Sequence, residues 1–253
     1  MRYLNLIRNI SNWPLHIKHK FGLTTSDPIV FTAKNDIRFE VPDRLYHEFK
    51  EIFLENAYTV GQQKRITRTD PTIIDIGANV GFFSVFALSK FPKCSLYSYE
   101  PVESNFKQLS RNRELNRDRN FNCFNLAVCG HKGTIEINFD ITDQFTTSAT
   151  IVNTNNDNLT SMEVPCLRLR DIFDENNIEK CDFLKLDCEG AEHDVLYNTP
   201  AAYLARIDQM AIEVHQGKNE GENLESLRNF LNRNDFDLFQ FNDKLHMLWA
   251  HRT

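Results

Sequence analysis

The sequence lacks any apolar run near the ~20 residues that a membrane-spanning helix needs. Its opening, MRYLNLIRNISNW, is too broken by polar residues to read as a signal peptide. It lacks a lysine/arginine block. With 29 basic residues against 35 acidic ones and a net charge of −6, it is a poor candidate for binding nucleic acid through bulk electrostatics. A basic tilt at Arg2, Arg8, Lys18 and Lys20 is enough for weak peripheral contact with an anionic membrane, or is simply solvated. The six cysteines (Cys94, Cys123, Cys129, Cys166, Cys181 and Cys188) include no C-x-x-C pair, so the usual zinc spacings are missing. Thiols scattered through apolar runs read as small buried hydrophobes and suit a reducing, cytoplasmic setting. There are no repeats, and no low-complexity block beyond Asn153–Asn158, which reads as a surface loop. Neither G-x-G-x-x-G nor G-x-x-x-x-G-K-[ST] occurs. The first absence counts against a nicotinamide-dependent oxidoreductase, and the second against a P-loop ATPase.

What is present organises around Thr72–Ser84, TIIDIGANVGFFS. A β-branched run at Ile73, Ile74 and Ile76 predicts a buried parallel strand. Gly77-Ala78-Asn79-Val80-Gly81 predicts a tight turn, and the apolar pattern from Phe82 predicts a helix. Glycines there allow close backbone approach, and a helix start offers free N–H groups, as a nucleotide-type cofactor site requires. Residues 1–70 read as an N-terminal extension or cap and 71–253 as the main domain, with Gly61–Pro71 as the boundary. Within the cap, Leu4, Ile7 and Ile10 are expected to share a helix face. Ile29–Phe31 and Ile37–Val41 are expected to form a hairpin, and Asp43 to cap a helix reaching about Asn56. That helix would place Leu45, Phe49, Ile52 and Phe53 on one apolar face over the cofactor end of the sheet.

From Thr72 strands and helices alternate. Ser95–Tyr99 is a predicted strand and Ser104–Asn116 a helix capped by Ser104. Phe121–Val128 reads as one strand, and His131–Phe139 with Phe145–Pro165 as an irregular, β-leaning insertion. Phe145, Thr146 and Thr147 there can form a substrate wall or a plain loop. Strands at Phe183–Asp187 and Gln209–Val214, helices at Glu192–Tyr197 and Leu224–Arg233, and a final strand pair complete the order. This is an α/β chain with an open, mostly parallel sheet and helices on both faces. Ligands bind outside the carboxyl ends of such strands, where Asp75, Glu100, Asp187, Glu189, Glu213 and His215 collect. Glu100 lies where an acceptor-only carboxylate takes both hydroxyls of a ribose. Asp75 is expected to orient the loop, meet a ligand amine, or cap backbone N–H groups.

Four runs carry a family resemblance: DIGANVG at Asp75–Gly81, YEP at Tyr99–Pro101, NLAV at Asn125–Val128 and DFLKLDCEGAE at Asp182–Glu192. Together they resemble the FkbM-type methyltransferases, class I enzymes that use S-adenosyl-L-methionine. The resemblance implies a seven-stranded Rossmann-like sheet and O-methyl transfer to a hydroxyl. A sugar or polysaccharide precursor is the acceptor it suggests. By the same resemblance Gly77, Asn79 and Gly81 line the methionine part of the cofactor, Glu100 holds the ribose, and Pro101, Ala127 and Val128 border the adenine. Asp187, Glu213 and His215 admit two catalytic readings. They can hold a divalent metal such as Mg or Mn, or His215 can remove the acceptor proton while Glu213 or Asp187 orients it. They can also merely shape the pocket. Lys185, a charge in a buried run, is expected to pair with Asp187 or Glu189. Glu189 and Glu192 read as helix-start acids and His193 as a surface residue. A non-catalytic protein that only binds the cofactor stays as the second alternative beside the oxidoreductase. No oligomeric state is readable.

Overall fold

A computed structural model describes residues 2–24, 26–55, 58, 66–140, 159–217, 219, 221–242 and 246–253. The chain opens with α1 (Arg2–Asn9) and α2 (Pro14–Lys20), then the hairpin β1 (Ile29–Thr32) and β2 (Arg38–Val41), then α3 (Tyr46–Phe53). The inward face of α1 is Leu6 and Asn9, with Ile10 buried beyond the helix. Leu4 and Ile7 point to solvent, contrary to the expected face. The reason is polar. Asn9 donates from Nδ2 to the Phe53 carbonyl (2.6 Å) and Asn5 to the Leu54 carbonyl (2.9 Å), so α1 is docked by bonds to the end of α3. Asp43 does not cap α3 either. It opens a short 3-10 turn, Asp43–Leu45, and pairs with His19 at 3.0 Å.

Next come β3 (Thr72–Ile76), α4 (Phe82–Lys90), β4 (Ser95–Tyr99), α5 (Glu103–Glu114) and β5 (Phe121–Phe124). Helix α5 begins with Val102 at its cap, so Ser104 lies inside it. Helix α4 is apolar on nearly every side, with Phe82, Phe83, Val85, Phe86 and Leu88 all buried. Such a helix needs cover on its outer face. The N-terminal elements supply it: Phe39 meets Phe82 at 6.2 Å and Phe53 meets Phe86 at 5.5 Å, edge-on. Two asparagines of α5 and its exit close the seam. Asn112 Oδ1 accepts the Glu40 N–H (2.8 Å), and Asn116 exchanges two bonds with the Arg38 backbone, which satisfies the open edge of β2.

The remaining elements are β6 (Ala127–Val128), β7 (Gly133–Asp140), β8 (Leu159–Leu167), α6 (Leu169–Glu175), β9 (Phe183–Leu186), α7 (Glu192–Tyr197), α8 (Ala201–Leu204), β10 (Gln209–Glu213), α9 (Leu224–Arg233), β11 (Phe236–Asn242) and β12 (Met247–Arg252). Seven strands form one sheet in the order β11-β12-β10-β9-β3-β4-β5. β12 runs antiparallel to both neighbours and the other recorded pairings are parallel. The order reverses between β3 and β9, so the crevice for a ligand opens there, at the carboxyl ends of those two strands.

The expected strand Phe121–Val128 is in fact two. Asn125 bends the chain by donating to the carbonyls of Glu100 (2.9 Å) and Pro101 (3.0 Å), and β6 leaves for a second sheet ordered β6-β8-β7. The insertion is also more regular than expected, since β7 and β8 pair residue for residue from Gly133↔Cys166 to Asp140↔Leu159. Phe145, Thr146, Thr147, Asn153–Asn158 and residues 61–65 of the expected boundary lie outside the described residues. Among the described residues, no helix is long and apolar enough to cross a membrane.

Candidate active site

The glycine turn after β3 is fixed by contact with the end of β9. Gly77 has φ +73°, and a Cβ placed on it would fall 1.6 Å from the Asp187 carbonyl oxygen. Only glycine permits this approach, and it welds the two strand ends at the point where the sheet order reverses. Asn79 is left-handed too (φ 49°), and Gly81 (φ 88°) turns the chain into α4 against the side chain of Leu109. Gly81 shapes the turn and lines neither of the two clefts beside it.

The first cleft, about 660 Å³, is lined by Gly77, Asn79, Glu100, Pro101, Ala127 and Val128, with Leu126, Ile135 and Ile137 as further apolar wall. Glu100 accepts the backbone N–H of Asn79 (2.8 Å) on one oxygen and that of Val102 (2.9 Å) on the other. Burial nonetheless raises its carboxyl to about 7, against the pull of those two bonds. The Asn79 side-chain oxygen is buried without a partner at the edge of this cleft.

Asp75 lines neither cleft. It is fully buried, accepts the Ser84 hydroxyl (2.6 Å) and pairs with Lys185 at 3.4 Å. Lys185 in turn donates to the Gly77 carbonyl (2.5 Å) and pairs with Asp187 at 3.1 Å. Of the expected roles for Asp75, orienting the loop matches this geometry and contact with a ligand amine does not. Lys185 pairs with Asp187 as expected, and with Asp75 rather than Glu189. Burial opposes its charge, but Asp187, Tyr58 and Asp75 together hold the ammonium well above its usual value.

The second cleft, about 1090 Å³, adjoins the first and shares Gly77, Asn79, Asp187 and Glu189 with it. Its other walls include Glu48, Glu51, Tyr58 and Glu213, so α3 does face this end of the sheet. Tyr58 donates to Asp187 Oδ2 (3.3 Å). Glu213 is pushed up to about 8, by burial first and by Asp187 second.

Asp187, Glu213 and His215 do come together, with ligating atoms within 4.8 Å of one another. His215, however, lines neither cleft and faces a third, shallower one beside Val214 and His246. Its Nδ1 donates to Glu192 (3.1 Å), while Nε2 faces Glu189 at 3.4 Å and Glu213 at 3.7 Å. Burial works against the charged ring, but these carboxylates raise it to about 10. The carboxylates around it thus favour the imidazolium, which donates from both ring nitrogens. Asp187 and Glu213 offer the carboxylate oxygens that suit a hard cation, while the ring nitrogen facing them is engaged with Glu189 and Glu213.

Sequence reasoning missed two residues of this site. Glu192 is fully buried and accepts the N–H groups of Cys188 (2.9 Å) and Gly190 (3.1 Å) as well as His215. Its position inside the run DCEGAE was the available signal, and the helix-dipole reading masked it. Tyr58 lies between the expected helix to about Asn56 and the boundary at Gly61, and gave no signal. His193, expected at the surface, is buried, with Nε2 donating to the Asn223 carbonyl (3.1 Å).

The Methyltransferase FkbM domain family matches residues 75–238. Methyltransferase 1 of Beauveria bassiana is 25% identical over 191 residues, covering 68% of this chain and 74% of its own length. The 31-O-demethyl-FK506 methyltransferase FkbM of Streptomyces tacrolimicus is 26% identical over 199 residues, covering 66% and 73%. The solved structure of Methyltransferase FkbM from Methylobacillus flagellatus KT shares the fold, with a TM-score of 0.54 at 18% identity over 77% of this chain; the match takes up 46% of that longer chain. A nicotinamide-dependent oxidoreductase has no support left. The glycine turn and the reversal of strand order between β3 and β9 thus sit within a domain match that covers most of the chain, which belongs to the FkbM family of class I, S-adenosylmethionine-dependent methyltransferases.

Proposed function

We propose that this protein methylates a hydroxyl group of a small polyhydroxylated or glycan-type acceptor. The observation that carries the reading is the meeting of two clefts over Gly77 and Asp187, one largely apolar with Glu100 buried in its wall, the other walled by carboxylates. The first cleft fits the cofactor. Glu100 would accept the ribose hydroxyls, and Pro101, Ala127 and Val128 would border the adenine. Gly77 and Asn79 would lie along the methionine part, where the unpartnered Asn79 oxygen is suited to accept from the ammonium group. When bound, S-adenosylmethionine supplies a methyl group made electrophilic by its sulfonium.

The acceptor would enter by the second cleft. Its hydroxyl is a weak nucleophile until it loses a proton, and a base with a value near the working pH serves best. Glu213, raised to about 8, lines that cleft and has this property. Asp187 would receive the acceptor hydroxyl beside it. His215, behind both, would hold Glu213, Glu189 and Glu192 in place as a cation, and it is a positioning residue in this reading. Transfer to oxygen has further support in the name of the Streptomyces relative, which specifies a 31-O position.

Calorimetric titration with S-adenosylmethionine and S-adenosylhomocysteine, with Glu100→Ala alongside, tests the cofactor half. Saturable binding that Glu100→Ala abolishes is expected, and absence of binding to the unaltered protein would overturn it. Incubation with labelled cofactor and a panel of sugars and nucleotide sugars tests the other half. Label recovered in a base-stable ether is expected. Label found only on nitrogen would overturn the hydroxyl assignment.

A further inference from the structure

Six large hydrophobic side chains are exposed among the described residues, and five of them lie in the first 23 positions: Tyr3 49%, Leu4 56%, Ile7 44%, Phe21 70% and Leu23 73%. Tyr3 and Leu4 lie four and three positions before Ile7, so the three share one helix face, opposite the face that carries Leu6 and Asn9 inward. Phe21 and Leu23 follow directly on α2, which lies beside α1: Lys20 donates to the Tyr3 hydroxyl (2.9 Å), and the rings of Tyr3 and His16 meet at 6.2 Å. Tyr3 of the exposed face of α1 thus meets α2, whose end leads straight into Phe21 and Leu23. A monomeric soluble protein seldom leaves such a patch uncovered.

The charge of the same segment is equally one-sided. Residues 1–26 contain Arg2, Arg8, Lys18 and Lys20 and no aspartate or glutamate, in a chain whose net charge is −6. Arg8, Lys18 and Lys20 are exposed beside the apolar groups. Apolar side chains rimmed by basic ones, on short helices lying flat against the body, match the interface between lipid headgroups and acyl chains. Nucleic acid would match the charge but leave the leucine, isoleucine and phenylalanine unexplained.

We infer that α1, α2 and the Phe21–Leu23 exit form a docking surface for an anionic lipid bilayer, holding the protein at the membrane without spanning it. Helix α1 rests on the end of α3 through Asn5 and Asn9, and α3 carries Glu48 and Glu51 into the second cleft. The docking surface and the acceptor cleft are therefore built on the same helix.

Co-sedimentation of the full chain with vesicles tests this. Binding is expected to vesicles of phosphatidylcholine and phosphatidylglycerol in equal parts, to weaken with salt, and to be slight on phosphatidylcholine alone. The double variant Leu4→Ser/Phe21→Ser should lose at least about tenfold in affinity, and Arg8→Gln and Lys18→Gln about fivefold each. These side chains are exposed, so circular dichroism and thermal melting should match the unaltered protein. Absence of binding to the mixed vesicles would overturn the inference, as would equal binding by the double variant. A dimer in sedimentation equilibrium that Leu4→Ser/Phe21→Ser dissolves would also overturn it, because a second copy would then be what covers the face.

Discussion

Two acids of the site are tuned by burial, and each carries a pH signature. Glu100 is raised to about 7, so a growing fraction holds a proton as pH falls below that value. A protonated carboxyl turns one oxygen into a donor and accepts more weakly with the other, so affinity for S-adenosylmethionine should fall with acidification below about pH 7. Glu100→Gln should lower affinity by about 1.5–3 kcal/mol, the worth of hydrogen bonds to a charged group, and should flatten the pH dependence measured by calorimetry. Glu213→Gln should cut turnover by about 10²–10⁴, the usual contribution of a general base, while leaving cofactor affinity nearly unchanged. In the unaltered enzyme kcat should rise with pH toward about 8, as Glu213 gives up its proton. His215→Ala should also cost far more in turnover than in cofactor affinity. It should shift the pH profile as well, because the cation that faces Glu213 is gone. Equal losses in kcat and cofactor affinity would remove His215 from the catalytic end altogether.

The glycine turn is the element on which the site depends, and a matched pair of variants isolates why. Gly77 and Gly22 both have positive φ (+73° and +65°), but a Cβ on Gly22 meets nothing within 4 Å. Gly22→Ala should cost only the backbone strain of about 1–3 kcal/mol. Gly77→Ala adds a collision with the Asp187 backbone and should cost clearly more in urea denaturation, with loss of cofactor binding. This element was legible in advance because its reasons are local: β-branched residues for a buried strand, glycines for the turn, a short apolar run for the helix. Glu100 and Asp187 were legible for the same reason, each closing a strand. Three other features were not legible because their causes lie far away in the chain. The inward face of α1 is set by asparagines reaching the end of α3. The split of Phe121–Val128 is set by Asn125 bonding to the turn after β4. The proton on His215 is set by Glu192, 23 positions earlier, which sequence reading assigned to a helix dipole.

The whole molecule should be most stable in mildly acidic solution. The folded state holds His215 protonated up to about 10, against an ordinary value of 6.5, so its stabilising contribution is complete below about 6.5 and is lost as pH rises through 10. Glu100, Glu189 and Glu213, raised from 4.5 to about 7, 7 and 8, add the same sign, because the folded chain retains protons that the unfolded chain releases. The melting temperature should therefore decline steadily from about pH 6 to about pH 9, and His215→Gln should shallow the alkaline part of that decline. A melting temperature that climbs over the range would contradict the burial of these groups. The buried Lys185 carries a different consequence. One ammonium serves Asp75, Asp187 and the Gly77 carbonyl at once, so loss of Lys185 leaves two carboxylates facing each other without their cation. Substitutions at positions 75, 185 and 187 are expected to show strong epistasis: loss of Lys185 is harmful alone, and a neutral residue at 75 or 187 should soften that loss.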